Sequence, residues 1–439
     1  MDDMQLTRRH LLGATAAAGM TGLAAGCEPD RAQSGAPPTV GPPPLDPASW
    51  DTVRGQFALD RTRAHLATFV FSAHPAPVRA AVAAHRDGLD RDAVGYLGAN
   101  EERLDQAVLA AAAGHLDSRP EQIALTDSTT MGLGLVYTAV RLRPGDEVLT
   151  TEHDFYATHE SLRLRAERDG VTVRRVRLYR DPATTSVDEV VANLAAAVTT
   201  RTRVVALTWV HSSTGVKLPI RQLAEAVRAR SPEALVCVDG VHGFGAEAVT
   251  PAQLGCDVLV SGCHKWLLGP RGTGLVWGSE RAWDRMTPVI PSFDGRGIGH
   301  WLSGGTGAPA LSAGPAHTPG GYHSFEHRWA LADAFEFHRR IGSERVAART
   351  RELADRLKDG LAGTRGVRLI TPRSSDLSAG IVCCDTAGVK VGEAVGRLYA
   401  AGVIATGTPY RPSYLRFGAT IANDEADVDA VPRAIRDLV

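Results

Sequence analysis

Two apolar runs in this chain end on residues able to do chemistry. Residues 234–238 (Ala-Leu-Val-Cys-Val) lead into Asp239, Gly240, Val241 and His242. Residues 258–260 (Val-Leu-Val) lead into Ser261, Gly262, Cys263, His264 and Lys265, and the string continues through Trp266, Leu267, Leu268, Gly269 and Pro270. Ligands of open α/β sheets collect outside the carboxyl ends of the strands, so Asp239, His242, His264 and Lys265 are placed to converge there. A buried lysine gives up its proton more readily and then serves as nucleophile and base. Its amine can hold an aldehyde as a Schiff base. A carboxylate can keep a pyridine nitrogen protonated, so that the ring draws electrons. Together they suit pyridoxal 5′-phosphate. The competing readings are a surface lysine and an aspartate that caps a helix. The flanking His264, Trp266, Gly269-Pro270 and Gly272-Thr273-Gly274 favour the chemical one.

Other residues must bring these together. Apolar or β-branched runs at 148–149, 171–178, 204–209, 235–238, 258–260 and 274–277 read as strands. Helical patterns at 101–115, 157–169, 187–198 and 220–229 lie between them. This alternation predicts an α/β domain with a mostly parallel sheet. A long helix is predicted over 325–341, continuing past Gly342. The runs at 367–370, 380–384, 391–401, 414–417 and 424–438 predict a small C-terminal α+β domain. The expected organisation is a large cofactor-binding domain over 76–341, the small domain over 342–439, and an N-terminal arm over 49–75. Gly295–Gly307 is glycine-rich and reads as a mobile lid.

The chain has 439 residues, with 48 Lys and Arg against 49 Asp and Glu. That balance gives no electrostatic case for a nucleic-acid partner. The six cysteines (Cys27, Cys237, Cys256, Cys263, Cys383, Cys384) match neither a zinc ribbon nor a disulfide framework. Cys237, Cys383 and Cys384 sit in apolar runs and read as packing residues. His323 and His327 are four apart, as metal ligands on a helix are, but no HExxH occurs, so the chain is read as holding no metal. Thr7-Arg8-Arg9-His10-Leu11-Leu12 precedes a short Ala/Gly-rich apolar stretch, a pattern similar to a twin-arginine export signal over residues 1–27. It predicts contact with the Tat machinery and a periplasmic or other extracytoplasmic destination. Leu23-Ala-Ala-Gly26-Cys27 resembles a lipoprotein box, and lipidation at Cys27 and plain cleavage both stand. Residues 28–48 are rich in Pro, Gly and Ser and read as a flexible linker.

The Asp239–His242 and Ser261–Pro270 strings resemble the class V aminotransferase family, the fold-type I group that includes cysteine desulfurases and isopenicillin N epimerase-like enzymes. The resemblance covers most of residues 57–439. It implies Lys265 as the Schiff-base lysine, with His264 beside it among the cofactor-binding residues, and Asp239 as the partner of the ring nitrogen. It places His242 where desulfurases carry a glutamine beside the ring hydroxyl. Thr126-Asp127-Ser128-Thr129-Thr130 resembles the family's phosphate cup, so Ser128, Thr129 and Thr130 are the implied ligands. Thr151-Glu152-His153-Asp154-Phe155-Tyr156 supplies the ring that stacks on the cofactor, with His153 in that role and Tyr156 as fallback. His211, in Trp209-Val-His-Ser-Ser-Thr, aligns with a cofactor-proximal polar position. Tyr414-Leu-Arg416-Phe-Gly resembles the C-terminal motif whose arginine grips a substrate α-carboxylate. Homodimers with sites at the interface are also implied.

The chain departs from that pattern in three places. Residues 402–413 hold no cysteine, which argues against a persulfide-forming desulfurase. Gly262 stands where many relatives have serine. Ser324-Phe-Glu-His-Arg328-Trp329 replaces the Gly-Thr pair that reaches the partner subunit's phosphate, with Arg328 or Ser324 as substitutes. That variation and the export signal resemble periplasmic pyoverdine-tailoring enzymes, which implies an amino acid or peptide-like natural product as substrate. Transamination, epimerisation, elimination and oxidation all stay open. So does an isopenicillin N epimerase-like racemase or a C–S lyase, and a catalytically inactive binding protein is the rival from another class.

Overall fold

The computed structural model describes residues 41–307, 309 and 311–438. The expected export signal, Cys27 and linker residues 28–40 lie outside the described residues. The arm comprises a helix at Trp50–Arg54 and strand β1 (Ala64–His65). Seven strands then form the central sheet: β2 (Ile123–Thr126), β3 (Glu147–Thr151), β4 (Thr172–Val176), β5 (Thr202–Thr208), β6 (Leu235–Asp239), β7 (Val258–Gly262) and β8 (Gly274–Gly278). Their order is β2-β8-β7-β6-β5-β3-β4. Neighbours are parallel except at β8, which runs against both β2 and β7.

The sequence pattern explains why this sheet is covered on both sides. Successive strand residues point to opposite faces. Ala124, Val148, Val204, Ala206, Cys237, Val258, Val260 and Val276 pack with Leu133, Val136 and Tyr137 of the helix Thr129–Ala139. The alternate residues Leu125, Leu149, Val205, Leu207, Val236, Val238 and Leu259 pack with Leu109, Leu116, Leu223, Val227 and Phe335 on the other face. Each Val, Leu or Phe among them stabilises the fold by roughly 1.5–3 kcal/mol when fully buried. Near-continuous apolar strands buried on both faces are what a parallel sheet requires.

A second, antiparallel sheet follows, built from β9 (Val367–Leu369), β10 (Ile381–Thr386), β12 (Thr406–Gly407) and β13 (Leu415–Gly418), in the order β12-β13-β10-β9. Strand β11 (Val403–Ile404) pairs in parallel with β1 of the arm. Here too alternation decides the packing. Val382, Cys384, Leu415 and Phe417 face the helices Ser343–Ala362 and Glu425–Arg436, and Ile381 and Cys383 join the core of the large sheet. The small sheet is thereby packed against the core of the large one. Cys237, Cys256, Cys263, Cys383 and Cys384 are free thiols in these packed regions.

Two expectations need correction. The helix predicted over 325–341 is two helices, Phe325–Trp329 and Leu331–Ile341, separated at Ala330. The break lets the buried Trp329 donate its indole N–H to Asp105 (3.0 Å) while Leu331, Ala334 and Phe335 face the core. His323 consequently precedes the helix that carries His327, and the two do not share a helix face. The glycine-rich segment contains a short helix, Gly295–Leu302, started by the Asp294 side chain accepting from the Arg296 N–H, and none of its side chains is buried.

Candidate active site

Asp239 ends β6 and is buried. Its Oδ1 accepts from the Val241 N–H (3.1 Å), and its other oxygen has no hydrogen bond among the described residues. Burial raises its pKa, while the Val241 hydrogen bond and the Lys265 charge pull it down. Lys265 follows β7 in a tight turn closed by Gly269 N–H donating to Cys263 C=O (2.9 Å) and Leu268 N–H donating to Lys265 C=O (3.2 Å). That turn holds Leu268 at φ 62°. The left-handed region costs an ordinary residue roughly 1–2 kcal/mol, offset here by packing Leu268 against Val53, Phe337 and Ile341. Gly245 permits the approach of this turn, since a Cβ there would lie 2.6 Å from the Leu267 nitrogen. Burial lowers the Lys265 pKa, Asp239 opposes that shift and Arg416 adds to it.

His242 is fixed by a residue whose function the sequence did not reveal. The Trp266 indole N–H donates to His242 Nδ1 at 3.2 Å. Indole only donates, so Nδ1 is the acceptor and the neutral ring carries its proton on Nε2. Burial, then Lys265, hold the His242 pKa well below the usual histidine range. The Nε2 atom lies 3.4 Å from Lys265 Nζ. Phe69, from the arm, stacks on Trp266 (5.6 Å between centroids). Ser72 N–H donates to the His264 carbonyl (3.0 Å), which ties the arm to the lysine turn. His264 is partly buried, with Nδ1 unpartnered.

On the far side, His153 follows β3. Tyr179 backs one face of its ring at 3.9 Å and 8°. The Leu178 N–H donates to His153 Nε2 (3.3 Å), which leaves the imidazole proton on Nδ1. Burial brings its pKa down to about 3, so the ring is neutral near pH 7. The next residue, Asp154, anchors this loop by accepting from Thr150 Oγ1 (2.6 Å), Thr151 N–H (2.7 Å) and Thr208 N–H (2.8 Å). Tyr156 is 68% exposed and stands apart from this stack. His211 is fully buried. Its Nδ1 meets the Tyr179 hydroxyl (2.9 Å) and its Nε2 has no partner. Burial lowers its pKa to about 3.

The Ser128 hydroxyl caps the helix Thr129–Ala139 by accepting from the Met131 N–H (3.2 Å). The first amides of that helix have no intrahelical acceptor, which makes its start a place for an anion. Thr129 Oγ1 accepts from the Gly262 N–H (2.7 Å) and locks the cup to the end of β7. Thr130 is exposed. Glycine at 274 keeps the cup open: a Cβ there would lie 2.9 Å from Thr126 Oγ1 and 3.2 Å from the Ser128 carbonyl carbon. A small neighbouring pocket is lined in part by Asp127, Thr273, Ser324 and Arg328. Arg328 pairs there with Asp105 (3.7 Å) and donates to His323 (2.6 Å).

Arg416 lies on β13 and is buried. Its guanidinium donates to Thr406 Oγ1 (3.2 Å) and to the Ser212 carbonyl (3.3 Å), and stands 5.2 Å from the Phe69 ring centre. It has no carboxylate partner among the described residues. A buried cation without a counter-charge is costly unless an anion arrives. Tyr410 reaches the same spot, its hydroxyl 2.8 Å from Ser212 Oγ. Sequence reading did not single out Tyr410, Ser212, Tyr179, Phe69 or Asp154. The available signals were slight: Ser212 adjoins His211, and Tyr410 lies in a proline-bracketed loop just before the arginine motif.

These features suit pyridoxal 5′-phosphate. A helix-start cup, a buried carboxylate with one oxygen unengaged, a buried lysine and a backed imidazole stand at the carboxyl ends of β2, β6, β7 and β3 in one sheet. The profile of the family described as Aminotransferase class-V matches residues 110–431. Isopenicillin N epimerase of Amycolatopsis lactamdurans is 30% identical over 413 residues, covering 89% of this chain and 98% of that protein. Isopenicillin N epimerase of Streptomyces clavuligerus is 28% identical, covering 76% of this chain and 84% of that protein. A solved structure of a C-DES mutant, with glycine covalently linked to its PLP cofactor, is 21% identical. It has a TM-score of 0.80 and covers 88% of this chain and 99% of that one. The fold is that of a fold-type I pyridoxal phosphate enzyme. The chain belongs to the class V aminotransferase family, and its cofactor is pyridoxal 5′-phosphate.

Proposed function

We propose that this enzyme acts at the amino group and α-carbon of an amino acid or peptide-like substrate that keeps a free α-carboxylate. The observation that carries this reading is Arg416, a buried guanidinium with no carboxylate partner among the described residues, close enough to Lys265 for its charge to act on that amine. Bound there, pyridoxal 5′-phosphate supplies an aldehyde for the lysine amine and a sink for charge developing at the α-carbon. Ser128, Thr129 and Thr130 would hold its phosphate. Asp239 would hold a proton on its ring nitrogen, His242 would donate Nε2–H to the ring oxygen, and His153 would lie against the ring with Tyr179 behind it. Arg416 orients the substrate by its carboxylate. Lys265, with a lowered pKa, takes and returns the α-proton as base and acid.

The test is direct. Purified protein given the cofactor should absorb near the visible edge, and borohydride should abolish the band. Lys265→Ala should stay folded and lose turnover across a panel of amino acids and peptides, followed by mass spectrometry with and without oxygen and a keto acid. A colourless protein that never takes up cofactor would favour the inactive binding protein, and turnover retained in Lys265→Ala would refute the mechanism. An isopenicillin N epimerase-like racemase is the second reading, favoured by the end-to-end similarity to the Amycolatopsis lactamdurans epimerase. The pyoverdine-tailoring reading rests on the sequence variation at Ser324–Trp329 and would show in the same panel as turnover of a glutamate-ended peptide.

We also propose export through the Tat machinery to the periplasm, supported by Arg8-Arg9 and the apolar stretch behind them. Changing both arginines to lysine should leave the precursor inside the cell, and unchanged fractionation would end that reading. Assembly as a homodimer is proposed on the family's habit and on the exposed Phe293, Ile298 and Trp301. Sedimentation of a monomer at micromolar concentration would oppose it.

A further inference from the structure

Inverting an α-carbon needs a proton removed from one face and another delivered to the opposite face. Lys265 can serve one face.

Lys265 follows β7, Asp239 ends β6, Ser212 follows β5 and Phe155 follows β3, and these four strands are consecutive neighbours. Adjacent strands lie about 4.8 Å apart, so a ring whose nitrogen meets Asp239 has Lys265 on one flank and the Ser212–Phe155 side on the other. Tyr410 enters on that second flank from the loop between β12 and β13. Its hydroxyl is 2.8 Å from Ser212 Oγ, and its ring is 6.0 Å from Phe155, edge-on. Ser212 also offers its carbonyl to Arg416 at 3.3 Å. One residue therefore engages both the guanidinium and the phenol, which sets the hydroxyl beside the group that would grip a carboxylate. Tyr410 is within electrostatic reach of Arg416 and Asp239. Burial favours its protonated form, the state that donates, and Arg416 favours the phenolate left behind. The expected desulfurase cysteine is missing from this very loop, and Tyr410 occupies it instead.

We propose that the Tyr410 phenol is the second proton carrier of this site and that the enzyme epimerises the α-carbon of its substrate. The inference rests on the reading that Lys265 and Arg416 hold an α-amino carboxylate. In one direction the neutral Lys265 amine takes the α-proton as that C–H bond breaks. The electron pair it leaves forms the new C–H bond on the opposite face, with the proton from the Tyr410 hydroxyl. Lysine ends as ammonium and tyrosine as phenolate. The reverse reaction exchanges the roles, and no oxidant or reductant enters.

The experiment uses the full chain loaded with cofactor, in D2O, with paired L- and D-amino acids as probes (alanine, glutamate, 2-aminoadipate). Wild type should wash out the α-proton of both enantiomers. Tyr410→Phe should keep exchange from the enantiomer whose α-proton faces Lys265 and lose the other by about 100-fold or more, a general acid's usual contribution. One readout stands apart from turnover: Tyr410→Phe should load cofactor and melt like wild type, since it loses a single hydrogen bond. Exchange from both enantiomers surviving in Tyr410→Phe would overturn the proposal. So would one-sided exchange by wild type with every probe, which leaves the Lys265 reading intact. No exchange from either enantiomer of any probe would overturn both.

Discussion

Replacing Arg416 with methionine should move stability and substrate affinity very differently. The guanidinium makes two hydrogen bonds, to Thr406 Oγ1 and to the Ser212 carbonyl. Hydrogen bonds from a charged donor contribute roughly 1.5–3 kcal/mol each. Against them stands the cost of keeping an ion out of water, which is several kcal/mol after relaxation and is met by no carboxylate here. The two sides nearly cancel. Methionine fills similar space and packs on Phe69, the ring already beneath the guanidinium. Stability should therefore change by no more than ~2 kcal/mol. Affinity for an α-carboxylate behaves otherwise, because the substrate's charge would enter a desolvated site with no partner. Losing one member of a buried pair costs about 3–5 kcal/mol, and at about 1.36 kcal/mol per decade that weakens binding by roughly two to nearly four powers of ten. Urea unfolding reads the first quantity. Spectral titration of the cofactor-loaded protein with 2-methylalanine, which has no α-proton to lose, reads the second. Binding within tenfold of wild type would refute the carboxylate role. A stability loss above about 4 kcal/mol would instead make Arg416 a structural strut.

Two further outcomes follow from the geometry. Gly215 has φ 76°, and a Cβ there would lie 2.6 Å from both the Ile381 carbonyl oxygen and Thr371 Oγ1; Gly215→Ala should lower stability by at least ~1–2 kcal/mol from the backbone alone and raise KM, because β10 and β13 carry Arg416 together, and an unchanged denaturation midpoint would contradict this. Glu425 is held down to about 2 by the hydrogen bond from Arg349. A folded pKa below the unfolded value near 4.5 gives stability present above pH 4.5 and lost as pH falls towards 2; the melting deficit of Glu425→Gln should accordingly shrink over that window, and a deficit constant with pH would show that the charge is not its cause.

Much of the architecture was legible along the chain. The runs ending at Asp239 and leading to Lys265 are strands because alternate residues in each face two separate cores, and an apolar strand buried on both faces announces itself by composition. The helix beginning at Thr129 was readable from Ser128 and the threonines after it. The break at Ala330 was not, because it answers a contact between Trp329 and Asp105, more than two hundred residues apart in the chain. The helix at Gly295–Leu302 was hidden by its glycines, which carry low helical propensity.

The identities of Asp239, Lys265 and Arg416, and the strand ends that carry two of them, were decided locally: β-branched runs, a Ser/Thr helix start and a Gly-Pro turn are features of neighbouring residues. What only the tertiary structure decided is which proton each group carries and what faces it. Trp266 sets the His242 tautomer across a separation of 24 residues, Tyr179 backs His153, and Tyr410 reaches Ser212 from 198 residues away. Hydrogen-bond direction and ring contact depend on distances of a few ångströms between distant segments, and those distances exist only once both cores have packed and the small sheet has settled on the large one.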